Sequence, residues 1–266
     1  MSGPTSLLRV VGIDTATRAG SVGLVEESHA APPKRLAEVA HEEELRHAET
    51  LLPAIDQCLE QAGCALGDVH GFAVSIGPGS FTGLRVGLAT AKGLALATGA
   101  WLVGVSTLEA YAHTEACRMG RDGSGALICV CLDARKGEVY SALFRAAGPT
   151  TAERVLADAV EKPASAAARM GGPLMAGAGA CPTLRVVGDG GERYPDEILA
   201  ALGRRAAIEA VPQSPEGRGF AVAELGLRYF RADGPADTAY LAPTYLRASE
   251  AELKLRERRS GGTEQD

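Results

Sequence analysis

One arrangement occurs twice in this chain, and it constrains the fold more than any other feature. Leu7–Ile13 is an unbroken apolar run ending at Asp14; a polar turn from Thr15 to Gly20 follows, and Ser21–Val25 resumes as a strand. About 120 residues later Ala126–Leu132 ends at Asp133, passes through Ala134-Arg135-Lys136-Gly137, and continues as Glu138–Phe144. Strand, aspartate, basic turn with glycine, strand: each reads as a hairpin. Self-similarity at that separation points to two lobes of related topology. The 266 residues, 46% of them hydrophobic, suffice for two modest cores.

Between and after the hairpins the pattern is α/β. A third strand is expected over Leu36–Ala40. A helix is expected over Glu42–Ala62, where Leu45, Ala48, Leu52, Ile55, Leu59 and Ala62 recur by threes and fours until Gly63. Pro53 should distort that helix. Phe72–Ile76 reads as a buried strand, then a glycine loop, a helix to about Thr98, and a strand at Trp101–Val105. Ser106-Thr107-Leu108-Glu109 has capping-box form and opens another helix. Ala164–Ala180 reads as a helix followed by a loop, Leu184–Val187 as a strand ending at Gly188-Asp189-Gly190, and Phe220–Phe230 as an amphipathic helix. The expected division is an N-terminal lobe over 1–106, a C-terminal lobe over 107–246 with a helix near 218–232 packing between lobes, and a charged tail over 247–266. The closing GGTEQD lacks the apolar residues that order a chain.

The loop Gly77-Pro78-Gly79-Ser80-Phe81-Thr82-Gly83 follows a strand and launches a helix. Glycine allows positive φ and close approach, Ser80 or Thr82 can cap, and first-turn N–H groups suit an anion. It is neither a Walker A loop nor a Rossmann fingerprint. From the residues alone the loop is equally an anion cradle or a tight turn. Beyond it Gly83, Gly87, Ala91 and Ala95 recur every four residues, a ridge with almost no side chain. Such a ridge accepts another element closely, either inside the protein's own core, the commoner outcome, or in a partner.

Several classes of function lack their residues. Net charge is −6, so no broad basic face awaits nucleic acid. The N-terminus has no signal-peptide pattern and the longest apolar run, Leu84 to Ala97, is interrupted by Arg85 and Lys92, so a cytoplasmic location is expected and no membrane association. Six cysteines without C-x-x-C read as reduced thiols, and no metal site is expected. His41 and His47 fall on different helix faces, His29, His70 and His113 are isolated, and there is no G-x-S-x-G elbow. No catalytic residue is assigned. Asp14 and Asp133 end strands where an Mg²⁺-nucleotide enzyme could place carboxylates; hairpin capping is the preferred reading.

The segments GIDTATRAGSVGL, His47-Ala-Glu-Thr-Leu-Leu-Pro, SIGPGSFTGLRVGLATAKGLA, GVSTLEA and LDARKGEVY, with Pro243-Thr-Tyr-Leu-Arg247 near the end, closely resemble the TsaB (YeaZ-type) family. The match spans Val11 to about Ala142. The resemblance implies an actin-like (ASKHA) fold with two ribonuclease-H-like lobes, mixed β-sheets flanked by helices. It implies a subunit without activity of its own in bacterial tRNA N6-threonylcarbamoyladenosine synthesis. Such a subunit pairs with and activates a catalytic TsaD-like paralogue, works with a TsaE-like ATPase, reaches tRNA only through the complex, and forms homodimers in isolation. The paralogue carries an H-x-x-x-H metal pair where this chain has Thr107 and Tyr111. The partner surface carried over comprises His47, Leu51, Leu52, Ile55, Arg85, Leu88 and Ala91. A nucleotide or anion site, with ATP or ADP and Mg²⁺ in the assembled complex but no obligatory cofactor, would draw on Asp14, Thr15, Gly77, Gly79, Ser80, Thr82 and Gly83. The alternatives are an actin-like nucleotide-hydrolysing enzyme and, last, a glycoprotease-like metallopeptidase.

Overall fold

A computed structural model describes residues 7–28, 31–41, 47–175, 183–202, 207–211, 214–234 and 236–247. The first lobe comprises β1 (Leu8–Asp14), β2 (Gly20–Ser28), β3 (Ala31–His41), α1 (His47–Gln61), β4 (Gly71–Gly77), α2 (Phe81–Thr98), β5 (Trp101–Ser106) and α3 (Thr107–Met119). The second comprises β6 (Leu127–Arg135), β7 (Glu138–Gly148), β8 (Thr151–Glu161), α4 (Pro163–Met175), β9 (Thr183–Val187), α5 (Asp189–Arg193), α6 (Pro195–Leu202), β10 (Ala207–Val211) and α7 (Arg218–Asp233). The sheets have orders β3-β2-β1-β4-β5 and β10-β9-β6-β7-β8. In each, three strands form an antiparallel meander and two more add in parallel to the first. The two hairpins therefore begin two copies of one topology, with α5 and α6 standing where the first lobe has α2.

One core lies between the first sheet and α1–α2, and includes Ile13, Leu24, Leu51, Ile55, Phe72 and Leu88. A second lies between β6, β7, β9 and α4–α6, around Leu143, Met170 and Leu202. The remaining faces are covered by exchange. On α3, Leu108, Tyr111, Ala112 and Ala116 pack with Ile128, Val130 and Phe144 of the second sheet. On α7, Ala221, Val222 and Leu225 pack with Val10, Val25, Ala73 and Val103 of the first. Each lobe's last helix thus lies on the other lobe's sheet.

Gly12 and Gly23 face each other across β1 and β2. A Cβ on either would collide with the α7 backbone at Gly219, Phe220 or Ala223. Their lack of side chains lets α7 rest directly on the strands. Glu38 of β3 then caps that helix, accepting from Gly217 N at 2.7 Å and Gly219 N at 3.0 Å. A carboxylate there complements the helix dipole.

The structure departs from expectation in places. Glu42–Arg46 lie outside the described residues, and α1 runs unbroken through Pro53 to Gln61. Ser106 caps α3 through Glu109 N, but Glu109 turns to Tyr229 and Arg154, so the reciprocal half of the box is unmade. The helix expected within Ala164–Ala180 runs over Pro163–Met175, and the loop expected after it lies outside the described residues, as does the tail after Arg247. Strands β8 and β10 and helices α5 and α6 add to the elements expected from the sequence.

Candidate functional site

A cleft of about 1320 Å³ opens between the lobes, walled by Ala16–Ala19 and the glycine loop on one side and by Leu132–Lys136, Asp189 and Arg193 on the other. Each wall contains one of the two hairpin turns.

The first wall is closed. Asp14 and Thr15 are fully buried. Asp14 Oδ1 accepts from Ala16 N at 3.2 Å, the expected hairpin cap, and Oδ2 lies 3.2 Å from Arg218 Nε of α7. Arg218 also donates to Thr17 Oγ1 at 3.0 Å and Ala19 O at 2.8 Å, and meets the Tyr111 hydroxyl. Burial opposes its charge, and Tyr111 and Asp14 outweigh burial, so its pKa is raised and it stays cationic. The glycine loop is pressed onto the same turn: Ser80 N donates to Ala16 O at 2.6 Å and Thr15 Oγ1 to Gly83 O at 2.8 Å. A Cβ on Gly79, Gly83 or Gly87 would strike Thr15 or Ala16. Ser80 caps α2 through Gly83 N at 3.3 Å. Of the two readings of the loop, close packing accounts for its glycines. Gly77, with φ of 120°, abuts Thr244. Thr82 is exposed at the start of α2.

The second wall is open. Asp133 Oδ1 caps Arg135 N at 2.9 Å, as Asp14 does its own turn, but its carboxylate also receives Tyr194 at 3.3 Å and Arg193 at 3.6 Å. Asp189 Oδ1 accepts from Asp133 N at 2.8 Å. Burial raises the Asp189 pKa; the hydrogen bond from the Asp133 N–H opposes the rise, and the Asp133 carboxylate adds a smaller push upward. Arg135 and Lys136 adopt positive φ, 62° and 55°, and extend from the turn along the cleft.

A strap, residues 236–247, joins the walls. Ala236 N donates to Leu102 O at 3.1 Å and Thr244 N to Ile76 O at 2.6 Å. Tyr245 packs on Phe81 with centroids 5.2 Å apart and accepts from Arg85 Nε at 3.1 Å. Arg247 reaches Ala134 O at 3.4 Å and Glu138 at 3.2 Å in the second lobe.

The partner surface read from sequence divides in two. Leu51, Ile55, Leu88 and Ala91 are buried in the first core, and the ridge Gly83–Gly87–Ala91–Ala95 faces the protein's own sheet. These four residues cannot touch a partner, because their face of each helix is the one that fills the core. Leu52 is 51% exposed, and Leu96, not singled out from sequence, is 86% exposed. On α2, Arg85, Ala89, Gly93 and Ala97 present a second four-residue stripe to solvent. His47 opens α1; its side chain lies outside the described residues.

At the positions where the resemblance gives the catalytic relatives two histidines, Thr107 is fully buried and Tyr111 is held against Arg218 and Thr17. A guanidinium therefore occupies the ground beside Asp14 and Tyr111. Sequence reading missed Arg218, although it was visible as a charge in line with Val222 and Leu225 on the apolar face of α7. His113, isolated in the sequence, has close partners in the fold. The fold sets His113 and Cys117, one turn apart on α3, beside Glu224 of α7. Burial lowers the His113 pKa, but Cys117 and Glu224 more than offset it, raising the value to about 9. Glu224 is brought down to about 2 by His113 and Arg35, against the effect of its burial.

Duplicated meander sheets, exchanged terminal helices and an interlobe cleft are the architecture of an actin-like (ASKHA) fold with two ribonuclease-H-like lobes. A YeaZ structure from Pseudomonas aeruginosa superimposes with a TM-score of 0.69 at 23% identity, over 90% of this chain and all of that one. The family model described as TsaD, tRNA N6-adenosine threonylcarbamoyltransferase, matches residues 36–180. The chain is 35% identical to the Escherichia coli tRNA threonylcarbamoyladenosine biosynthesis protein TsaB over 138 residues, 52% of this chain and 55% of that protein. An uncharacterized Mycobacterium tuberculosis protein is 34% identical over 164 residues, 62% of this chain and 72% of the relative. The chain spans about half the length of the TsaB relatives it matches. The chain belongs to the TsaD family and is of the TsaB/YeaZ type.

Proposed function

We propose that this chain is a non-catalytic partner subunit in tRNA N6-threonylcarbamoyladenosine synthesis, docking a TsaD-like catalyst through the outward faces of α1 and α2. The observation that carries the reading is the Arg218–Asp14–Tyr111 cluster. A cation fixed in the fold stands where a catalytic relative would need metal ligands, and neither Thr nor Tyr replaces an imidazole there. The exposed Leu52 of α1, with Leu96 and the stripe Ala89–Gly93–Ala97 of α2, supplies an apolar, close-packing surface for the partner. In isolation the same face would pair two copies, and a TsaE-like ATPase and tRNA would join through the catalyst in the cytoplasm.

Adenine nucleotide with Mg²⁺ is not held by the first wall in this reading. Asp14 is ion-paired and the glycine loop is packed, so a nucleotide in the complex would rest on the Asp133–Lys136 and Asp189 side. That open wall favours the second reading, an actin-like nucleotide hydrolase, which predicts Mg²⁺-dependent ATP turnover by the isolated chain that D189N abolishes.

The deciding experiment mixes the purified chain with a TsaD-like catalyst and follows association and tRNA modification. Association is expected, with modification dependent on the chain. L52D/L96R is expected to lose association while unfolding like the parent. Absence of a complex, with or without nucleotide, overturns the proposal.

A further inference from the structure

Outside the cleft, where α3 crosses α7, polar side chains from three elements converge. His113 and Cys117, four residues apart on α3, leave the same face of the helix. Glu224 stands opposite on α7, with Oε2 2.7 Å from His113 Nε2. The ligand atoms of His113, Cys117 and Glu224 all lie within 4.8 Å of one another. Arg35 of β3 clamps the Glu224 carboxylate at 2.8 and 3.0 Å. The His113 side chain is 2% exposed and that of Glu224 12%, whereas Cys117 is partly exposed and leaves one side open to solvent.

We propose that His113, Cys117 and Glu224 form a binding site for a borderline-soft divalent cation of the zinc class, with water as the fourth ligand. The donor set selects the ion: one sulfur, one imidazole nitrogen and one carboxylate oxygen suit Zn²⁺ or Co²⁺, whereas Mg²⁺ and Ca²⁺ take oxygen shells. Three protein ligands and an open position form a recognised zinc arrangement, whose bonds of ~2.0–2.3 Å set tetrahedral ligand atoms roughly 3.3–3.7 Å apart. The ion would therefore part His113 Nε2 from Glu224 Oε2, now 2.7 Å apart, and draw the Cys117 sulfur inward. Arg35 holds the carboxylate as outer-sphere partners hold metal ligands. Charge closes as well. Thiolate and carboxylate supply two negatives and Arg35 one positive, so a divalent ion leaves a single net positive charge at a partly solvated site. On binding, the proton shared by His113 and Glu224 and the proton of the Cys117 thiol both leave to solvent. The ion would fasten α3 to α7, the two helices that the lobes exchange.

The test uses the full chain without a histidine tag, stripped with chelator and titrated with Co²⁺. One equivalent is expected to bind, giving a thiolate-to-cobalt charge-transfer band and tetrahedral-type ligand-field bands that Zn²⁺ displaces. C117S is expected to remove the charge-transfer band, and C117S and H113Q each to weaken Zn²⁺ binding by at least about tenfold. C64S, at another partly exposed thiol, should bind like the parent. Should the variants fold poorly, the parent chain decides alone: Zn²⁺ is expected to protect Cys117 from iodoacetamide, mapped by mass spectrometry. Absence of stoichiometric Co²⁺ binding, a charge-transfer band that survives C117S, or alkylation of Cys117 unaffected by Zn²⁺ overturns the proposal.

Discussion

The two lobes begin with the same strand, aspartate and hairpin, yet their aspartates live differently. Asp14 is sealed under its turn and neutralised by Arg218, while Asp133 faces the cleft among Asp189, Tyr194 and Arg193. The cause is what the neighbouring elements bring. In the first lobe α7 inserts an arginine from behind and the glycine loop closes from above. In the second, short α5 begins at Asp189 and leaves the wall open. Hairpin-capping chemistry is shared; availability for ligand chemistry is set by the helix that covers it.

The largest expected break in that contrast is R218M. Removing the cation leaves the Asp14 carboxylate buried without a counter-charge, and the expected loss is ~3–5 kcal/mol in urea unfolding. D133N, at the open wall, should cost a small fraction of that. A double variant D14N/R218M losing less than R218M alone would assign the penalty to the stranded carboxylate. If R218M unfolds like the parent, the closed-wall account fails.

Next comes E38A. Glu38 serves as the distant cap of α7, and its charged hydrogen bonds to Gly217 and Gly219 predict a loss of ~2–3 kcal/mol. The α2 glycines should then separate by sign. G87A forces a methyl into Thr15 and should cost ~1–3 kcal/mol, whereas G93A, with open space around it, should stabilise by up to ~1 kcal/mol. Equal effects would refute the inward and outward assignment of the two stripes. The smallest effect is S106A, which removes the local cap of α3 at ~1 kcal/mol. An S106A loss equal to that of E38A would erase the difference between the two exchanged helices.

Most of the first lobe was legible because its signals are local. Apolar runs end at turn residues, the α2 boundaries have Ser80 and Gly99 as caps, and the duplicated hairpin announced the duplicated sheet. The second lobe was harder to read. Strand β8, rich in charge and half exposed, lacks a clean alternation, and α5 has only five residues. The site was least legible, since its decisive pairs join residues distant in sequence: Arg218 with Asp14, Glu224 with His113, Arg247 with Ala134. Periodicity located the ridge on α2 but not its direction. A helix this rich in alanine and glycine has two small-residue faces, and only the sheet beneath decides which is inside.

Because α3 and α7 each lie on the other lobe's sheet, the molecule has the connectivity of a strand-for-strand dimer fused end to end, with its closing arms traded. A fragment ending at Met119 keeps every strand of the first sheet yet leaves the face over Gly12 and Gly23 bare. Neither half should stand as a folding unit; co-expressed halves should find one another, each supplying the arm the other lacks.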